Sequence, residues 1–201
     1  MGIESKYIWM DGELVEYEKA TVPFLSSALH YGLGVFEGIR CYNTEKGAAV
    51  FRLKEHMDRL INSAKILGFR ELPYSADELC AATKATIKAN EMPACYIRPL
   101  IYHDSPTMGL NLDSGCAKVG IAMWRWDSYL GEEAVEKGIR ANISSFTRHH
   151  PNVTMTKSKA SGNYTNSVLA KTESVRLGFD EAIMLDPQGY VAECTEIGRA
   201  H

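Results

Sequence analysis

Short apolar runs separated by turn residues fill the first part of this 201-residue chain and limit what it can fold into. The clearest pair lies at residues 7–10 and 13–15, joined by Asp11-Gly12. Asp-Gly readily adopts the positive φ angles of a type I′ turn, so this pattern predicts a β-hairpin. Residues 36–42 and 48–53 predict a second pair of strands, joined by a polar segment.

Helical spacing follows this second pair of strands. Apolar residues recur on one helical face from Met57 to Leu67, and Gly68 then marks a helix end. A second helix is predicted after Ser75, because Glu78 stands three residues later and completes a capping box. Two further apolar stretches, at 96–102 and 118–126, predict buried strands.

The rest of the chain predicts a smaller set of elements. These are a short helix at 132–137, a strand at 139–146, a helix at 163–177 ended by Gly178, and a hairpin of strands at 181–185 and 190–193. So few elements can hardly cover both faces of a sheet. We therefore predict a two-domain α+β protein with a small domain at 1–126, a linker and short helix at 127–137, and an incomplete large domain at 138–201.

Composition narrows the classes of function. The net charge of −3 offers no basic face for nucleic acid or an acidic membrane, and no apolar run approaches the length of a membrane helix. The N-terminus has no long apolar segment of the kind that signal peptides carry. Five scattered cysteines without a CxxC pair argue against a disulfide framework or a zinc site. We predict reduced thiols, a cytoplasmic location and no metal.

A lysine followed by small residues is the first candidate for chemistry. Lys159 precedes Ala160, Ser161 and Gly162, and a predicted helix begins directly afterwards. A lysine with a lowered pKa forms Schiff bases with aldehyde cofactors, and small neighbours let a flat ring approach the backbone. Taken alone, this segment is explained more simply as a polar loop with a solvated lysine.

Two further charged residues fit the same chemistry. Glu193 ends a predicted strand, and a carboxylate facing a pyridine nitrogen keeps that nitrogen protonated. Arg59 lies beside the apolar face of the first long helix, where a guanidinium could clamp a phosphate with two hydrogen bonds. Each has an ordinary alternative, a solvated strand-end charge for Glu193 and a surface salt bridge for Arg59.

Six segments in order resemble those of the pyridoxal-phosphate-dependent branched-chain amino-acid aminotransferases of fold type IV. They lie at residues 31–40, 52–60, 96–100, 126–131, 159–164 and 189–194. The resemblance extends over residues 5–195 and implies the fold of the D-amino-acid aminotransferases. The first segment, YGLGVFEGIR, favours the branched-chain group over the D-amino-acid aminotransferases and the aminodeoxychorismate lyases.

The resemblance implies specific roles for the cofactor residues. Lys159 would form the Schiff base with pyridoxal 5′-phosphate and then act as the general base in the proton shift. Arg59 would bind the phosphate, Tyr164 the phenolate oxygen and Glu193 the pyridine nitrogen.

The resemblance also implies that a second set of residues binds the substrate. Phe36, Gly38, Trp126 and Tyr129 would line an apolar pocket, Tyr96 and Arg98 would recognise a carboxylate, and Tyr31 with the loop Met108, Gly109 and Leu110 would reach across a dimer interface. The aromatic residues of the pocket have a competing interpretation as ordinary core residues.

The implied activity is transfer of the amino group of L-leucine, L-isoleucine or L-valine to 2-oxoglutarate, in a homodimer or a higher homo-oligomer. One alternative is a D-amino-acid or (R)-amine aminotransferase of the same fold. Another is an inactive fragment that only folds and associates. Its motivation is that the similarity stops abruptly after Thr195, where residues 196–201 depart from the family pattern, as expected for a chain truncated at its C-terminus or for a shifted reading frame.

Overall fold

The computed structural model of the protein describes residues 5–125 and 132–196. These residues divide into two compact units. The first contains residues 5–125 together with Lys157–Ser161, although this segment follows residues of the second unit along the chain. The second contains the described residues of 132–156 and 162–196.

The first unit is built on an antiparallel sheet that has seven strands among the described residues. They are β1 (Tyr7–Met10), β2 (Glu13–Glu16), β3 (Gly34–Phe36), β4 (Ile39–Thr44), β5 (Gly47–Val50), β6 (Cys95–Asp104) and β7 (Cys116–Trp124). The spatial order is β2-β1-β7-β6-β4-β5, and β3 also pairs with β6. The long strand β6 therefore carries β7 on one side and both β3 and β4 on the other.

The hairpin predicted at residues 7–15 is confirmed. β1 and β2 pair antiparallel, with Tyr7 opposite Glu16 and Met10 opposite Glu13. Asp11 and Gly12 both have positive φ angles, 45° and 104°, as a type I′ turn requires.

The prediction of one continuous strand at 36–42 is wrong. The chain forms two short strands, β3 and β4, which lie end to end along β6. They are separated by Glu37 and Gly38, where Glu37 N donates to Pro99 O at 3.0 Å. The Glu37 side chain is fully buried, so it does not follow the alternation of a strand with one exposed face.

The predicted strand at 48–53 is also wrong at its end. β5 stops at Val50, and Arg52 takes a left-handed conformation with φ of 50°. The long helix then begins at Leu53. A short apolar run does not by itself distinguish the end of a strand from the first turn of a helix.

Among the residues that the structure describes, the first unit has three helices, α1 (Ser27–Tyr31), α2 (Leu53–Leu67) and α3 (Ala76–Asn90). Short 3₁₀ turns lie at Tyr17–Lys19 and Leu112–Ser114. α2 ends as predicted at Gly68, whose φ is 106°. The capping box of α3 is confirmed, because Glu78 N donates to Ser75 Oγ at 3.3 Å and Ser75 N donates to Glu78 Oε2 at 2.7 Å.

The core of the first unit lies between these helices and the sheet. Met57 and Leu60 of α2 and Leu79 of α3 are fully buried, as are Ile97 of β6 and Ile121 of β7. Burial of such side chains contributes roughly 1.5–3 kcal/mol each. The core therefore fixes α2, β3 and β6, which carry the predicted site residues Arg59, Phe36, Tyr96 and Arg98.

The second unit is smaller. It contains α4 (Glu132–Lys137), α5 (Tyr164–Arg176), β8 (Ala141–Ile143), β9 (Glu181–Leu185) and β10 (Val191–Cys194), and a 3₁₀ turn (Ser161–Asn163) leads into α5. The strand order is β10-β9-β8, with β8 parallel and β10 antiparallel to β9. Its buried apolar cluster consists of Ala170, Ala182 and Met184.

Predicted elements of the second unit are confirmed except for the extent of one strand. The hairpin at 181–193, the helix before Gly178 and the short helix at 132–137 all form. The strand predicted at 139–146 is shorter, because Ser144 Oγ and Ser145 N donate to Glu173 of α5 at 2.6 and 3.0 Å and draw the chain away from a regular strand. None of the described helices is long and apolar enough to cross a membrane.

Candidate active site

The backbone around Lys159 is held by hydrogen bonds within the first unit. Lys159 O accepts from Phe36 N at 3.1 Å, and Lys159 N donates to Ser63 Oγ of α2 at 3.1 Å. Ser158 Oγ donates to Ser63 O at 2.8 Å, and Ala160 forms an isolated antiparallel bridge with Val35. The segment is therefore fixed between β3 and α2, and the explanation as a solvated loop does not describe it.

The amine of Lys159 lies against an aromatic ring. Lys159 Nζ is 5.1 Å from the centroid of the Phe36 ring. Small residues surround the same backbone, since a Cβ at Gly34 would meet Ser161 Oγ at 3.3 Å. The arrangement places an amine beside an aromatic face on a closely packed backbone.

Gly38 and Tyr96 fit together closely. A Cβ at position 38 would lie 2.0 Å from the Tyr96 hydroxyl oxygen and 2.9 Å from its ring carbon Cζ. The glycine thus makes room for the Tyr96 side chain, whose hydroxyl accepts a hydrogen bond from Arg98 Nη2 at 3.2 Å. These predicted substrate residues are brought together by β6 and by the break between β3 and β4.

Arg98 is surrounded by aromatic rings. Its Cζ atom lies 4.5 Å from the ring centroid of Phe36, 5.3 Å from that of Tyr96 and 5.7 Å from that of Trp124. Its Nε atom is buried and has no hydrogen-bond partner among the described residues. A buried unpaired donor is rare and calls for an explanation, and a bound anion would supply its acceptor.

Sequence reasoning missed Trp124. This residue ends β7 and stands directly opposite Tyr96 in the β6–β7 ladder, with ring centroids 5.0 Å apart. The strand predicted at 118–126 contained it, but only the register of β6 against β7 places it beside Arg98.

Arg59 lies on α2 and pairs with Glu37, a residue that sequence reasoning also missed. The guanidinium engages both carboxylate oxygens, through Nε to Oε1 and through Nη2 to Oε2 at 2.6 Å. His56 Nδ1 lies 2.9 Å from Glu37 Oε2. The Glu37 side chain is fully buried, whereas 57% of the Arg59 side chain is exposed. The arginine predicted to hold a phosphate thus extends outward from a buried carboxylate.

The electrostatics of Glu37 reflect two opposing causes. Burial is the largest single influence and favours the neutral acid. The hydrogen bonds and positive charges of His56 and Arg59 together outweigh it, so the pKa of Glu37 lies below its usual value. The carboxylate is therefore charged at neutral pH and attracts the guanidinium of Arg59.

The residues predicted at a dimer interface lie together on the surface of the first unit. The Tyr31 hydroxyl donates to Met108 O at 2.8 Å. Tyr31 and Leu110 are exposed, to 41% and 78%, and Gly109 is exposed as well. The hydrogen bond joins the end of α1 to the loop after β6.

The second unit carries the other predicted cofactor residues. Tyr164 begins α5, and Glu193 lies on β10. Arg148 Nε pairs with Glu193 Oε1 at 2.6 Å, and Arg148 Nη1 donates to Asn166 Oδ1 of α5 at 2.9 Å. Arg148 was not predicted, and it links the strand of Glu193 to the helix of Tyr164. The predicted pocket residues Trp126 and Tyr129 lie outside the described residues.

The chain is similar to proteins of one known family. The family model described as "Amino-transferase class IV" matches residues 34–197. The branched-chain-amino-acid aminotransferase of Pseudomonas aeruginosa is 50% identical over 186 residues, which cover 92% of this chain and 60% of that protein. That of Escherichia coli strain K12 is 48% identical over 191 residues, covering 94% of this chain and 62% of that protein.

Solved structures show the same likeness. The crystal structure of the Escherichia coli branched-chain amino acid aminotransferase has a TM-score of 0.92 at 47% identity, covering 96% of this chain and 63% of that one. A second branched-chain amino acid aminotransferase, crystallised with pyridoxamine 5′-phosphate, has a TM-score of 0.92 at 50% identity, covering 96% and 64%. That of Thermoproteus uzoniensis with norvaline has a TM-score of 0.90 at 42% identity, covering 96% and 63%. These likenesses confirm the predicted fold type.

The chain spans about 60% of the length of the relatives that it matches. Within that span the family model covers most of the chain, including Lys159, Arg59 and Glu193. The chain therefore belongs to the class IV aminotransferase family.

Proposed function

We propose that this chain is a branched-chain amino-acid aminotransferase that uses pyridoxal 5′-phosphate to transfer the amino group of L-leucine, L-isoleucine or L-valine to 2-oxoglutarate. The observation that carries the proposal is the placement of Lys159. Its amine lies beside the Phe36 ring, and its backbone is fixed by Phe36 and Ser63, in a chain 50% identical to a branched-chain-amino-acid aminotransferase.

The side chains of the structure fit this cofactor by their chemistry. A lysine amine can hold an aldehyde, and a guanidinium oriented by a carboxylate can hold a phosphate with parallel hydrogen bonds. Arg98 Nε is a buried donor with no partner among the described residues, which fits an anionic ligand. When bound, the cofactor supplies an electron-withdrawing ring that stabilises negative charge at the α-carbon of the substrate.

Lys159 has two tasks in this proposal. Its Nζ atom would hold the cofactor through the aldehyde group. The same amine would serve as the general base for the proton of the substrate α-carbon. The hydrogen bonds from Phe36 N and to Ser63 Oγ support this role, because they keep the lysine backbone in one place throughout.

The other cofactor residues take the roles that the matched segments imply. Arg59 binds the phosphate, Tyr164 binds the phenolate oxygen and Glu193 pairs with the pyridine nitrogen. The pairing of Glu193 with Arg148 at 2.6 Å supports this assignment, because it fixes the place of the carboxylate on β10.

Substrate recognition is proposed to combine apolar walls with one cation. Phe36 and Gly38, together with Trp126 and Tyr129, would accept a branched aliphatic chain. Arg98 and Tyr96 would meet the carboxylate of the acidic partner. The close packing of Gly38 on Tyr96 and the unpaired Nε of Arg98 support a pocket that is apolar but still offers a donor.

We also propose a homodimer or a higher homo-oligomer. The surface near Tyr31 exposes large apolar side chains, including Phe24 at 77%, Leu29 at 64% and Leu110 at 78%. A cluster of this kind marks an interaction surface on a folded protein. In the assembly, Tyr31 and the loop Met108, Gly109 and Leu110 would contribute to the site of the neighbouring subunit.

A cytoplasmic location is part of the proposal. The five cysteines are free thiols. Cys41 and Cys95 stand directly opposite each other on β4 and β6 without forming a disulfide. Dispersed cysteines without a disulfide framework are usual in proteins of a reducing compartment.

The proposal is tested by the absorption spectrum of the purified chain mixed with pyridoxal 5′-phosphate. A visible band that shifts to the near ultraviolet on addition of L-leucine, but not of D-alanine, supports it. A response to D-alanine alone would favour the D-amino-acid aminotransferases of the same fold. A spectrum of free cofactor that does not change would favour a chain that folds without this chemistry.

A further inference from the structure

Glu37 is a fully buried carboxylate for which the proposed chemistry has no use. It stands in the break between β3 and β4, where its backbone N donates to Pro99 O at 3.0 Å. An isolated charge at such a position would cost several kcal/mol, so its partners must compensate. Both carboxylate oxygens are in fact occupied, by Arg59 and by His56.

The contact with Arg59 has the geometry of an orienting interaction. The guanidinium meets the carboxylate through Nε and Nη2, so two parallel hydrogen bonds fix the plane of the group as well as its position. A guanidinium has five N–H donors in a rigid fork, so engagement with a carboxylate on one edge is compatible with a phosphate on another. The carboxylate end of this pair is fully buried, whereas 57% of the Arg59 side chain is exposed.

The residue next to Glu37 connects it to Lys159. Phe36 N donates to Lys159 O at 3.1 Å, and the Phe36 ring lies 5.1 Å from Lys159 Nζ. Two consecutive residues, Phe36 and Glu37, therefore contact the proposed cofactor lysine and the proposed phosphate arginine. Ser63 lies one helical turn after Arg59 on α2, and its Oγ atom accepts a hydrogen bond from Lys159 N. Helix α2 therefore also connects Arg59 to the backbone of Lys159.

We propose that Glu37 is a positioning residue, which holds the Arg59 guanidinium in a fixed place relative to Lys159 and so prepares the site for a phosphate monoester before the ligand arrives. This inference rests on the proposed function for the identity of the cofactor. Glu37 touches neither the cofactor nor the substrate in this account. If Glu37 only neutralised charge, it would weaken phosphate binding, because it would lower the positive potential around Arg59. If Glu37 positions the Arg59 guanidinium, it strengthens phosphate binding.

The test compares the wild-type chain with Glu37→Gln, which keeps the size of the side chain but loses its charge. Each is titrated with pyridoxal 5′-phosphate and with pyridoxal, which lacks the phosphate. We expect the affinity for pyridoxal 5′-phosphate to fall on the order of tenfold, as for other groups that orient a binding residue, and the affinity for pyridoxal to stay unchanged. Glu55→Gln is the matched control, because Glu55 lies on the same helix in an exposed pair with Arg52.

Two results would overturn the inference while leaving the proposed function intact. The first is unchanged or tighter binding of pyridoxal 5′-phosphate by Glu37→Gln, which would make Glu37 a charge neutraliser. The second is an equal loss for both ligands, which would show that Glu37 supports the fold as a whole and does not act on the phosphate subsite. A double variant with Arg59→Ala should lose no more than Arg59→Ala alone, because Glu37 acts only through Arg59.

A second measurement needs no cofactor and so separates the inference from the proposed function. The Nε–H resonance of Arg59, assigned with Arg59→Lys, should be protected from solvent exchange in the wild-type chain and lose that protection in Glu37→Gln. If neither pyridoxal 5′-phosphate nor pyridoxal binds to the wild-type chain, the proposed function fails and this resonance still decides the role of Glu37. An unprotected Nε–H in the wild-type chain would refute the positioning role.

Discussion

Gly38 and Tyr96 pack so closely that a Cβ atom at position 38 would lie 2.0 Å from the Tyr96 hydroxyl oxygen. Gly38 therefore determines where the Tyr96 ring can lie. The Tyr96 hydroxyl in turn accepts a hydrogen bond from Arg98 at 3.2 Å. Gly38 therefore also influences the position of Arg98, two residues further along β6.

We predict that Gly38→Ala displaces Tyr96 and lowers the free energy of unfolding by about 1–3 kcal/mol, the usual cost of overpacking. Urea unfolding measures the change. Gly120→Ala is the control, because the nearest atom to a Cβ there is 3.9 Å away. In a Tyr96→Phe background the penalty should shrink, since the closest contact is with the hydroxyl oxygen. An equal penalty in both backgrounds would contradict the account.

Arg98 leads to a prediction that separates binding from stability. In Arg98→Met the chain loses contact with three aromatic rings but no longer buries an unpaired Nε, so the two effects should offset within about 1 kcal/mol of unfolding free energy. Binding of 2-oxoglutarate should weaken strongly, and binding of L-leucine should weaken less. The two ligands are compared by titration. Equal losses for both would argue against a role for Arg98 in recognising the acidic partner.

The buried carboxylate of Glu37 predicts a dependence of stability on pH. Its pKa in the folded chain lies below the usual 4.5, because the bonds and charges of His56 and Arg59 outweigh burial. A group of this kind stabilises the fold above its unfolded pKa, and the contribution is lost as the pH falls through the folded value. The stability difference between wild type and Glu37→Gln should therefore be constant above about pH 4.5 and shrink below it.

Urea unfolding at a series of pH values measures this difference. Glu45→Gln, in the exposed turn between β4 and β5, serves as the control and should change stability little at any pH. A gap between wild type and Glu37→Gln that widens on acidification would contradict the sign of the effect.

Local signals in the sequence predicted the elements whose causes are local. Asp11-Gly12, Gly68 and the pair Ser75 and Glu78 act on the backbone within a few residues, and each produced the expected turn, helix end or helix start. The prediction of a continuous strand at 36–42 was wrong because the break between β3 and β4 depends on contacts with residues far along the chain.

Glu37 shows why part of the site escaped sequence reasoning. An acidic residue among apolar ones suggests the solvent-exposed face of a strand. Its burial depends on His56 and Arg59, which lie 19 and 22 residues later on another element. Trp124 was missed for a related reason, because only the strand register sets it opposite Tyr96. Lys159 and Arg59 were predicted from the sequence because six segments in the order typical of the family, rather than local physics, pointed to them.

Reductive trapping of the cofactor tests the central claim most directly. The purified chain is mixed with pyridoxal 5′-phosphate, reduced with borohydride and digested, and the modified lysine is located by mass. Lys157→Ala is the matched control, because Lys157 is an exposed lysine two residues before Lys159. We predict one modified site, at Lys159, in the wild type and in Lys157→Ala, and none in Lys159→Ala. Modification spread over several lysines, and unchanged in Lys159→Ala, would contradict the proposed function.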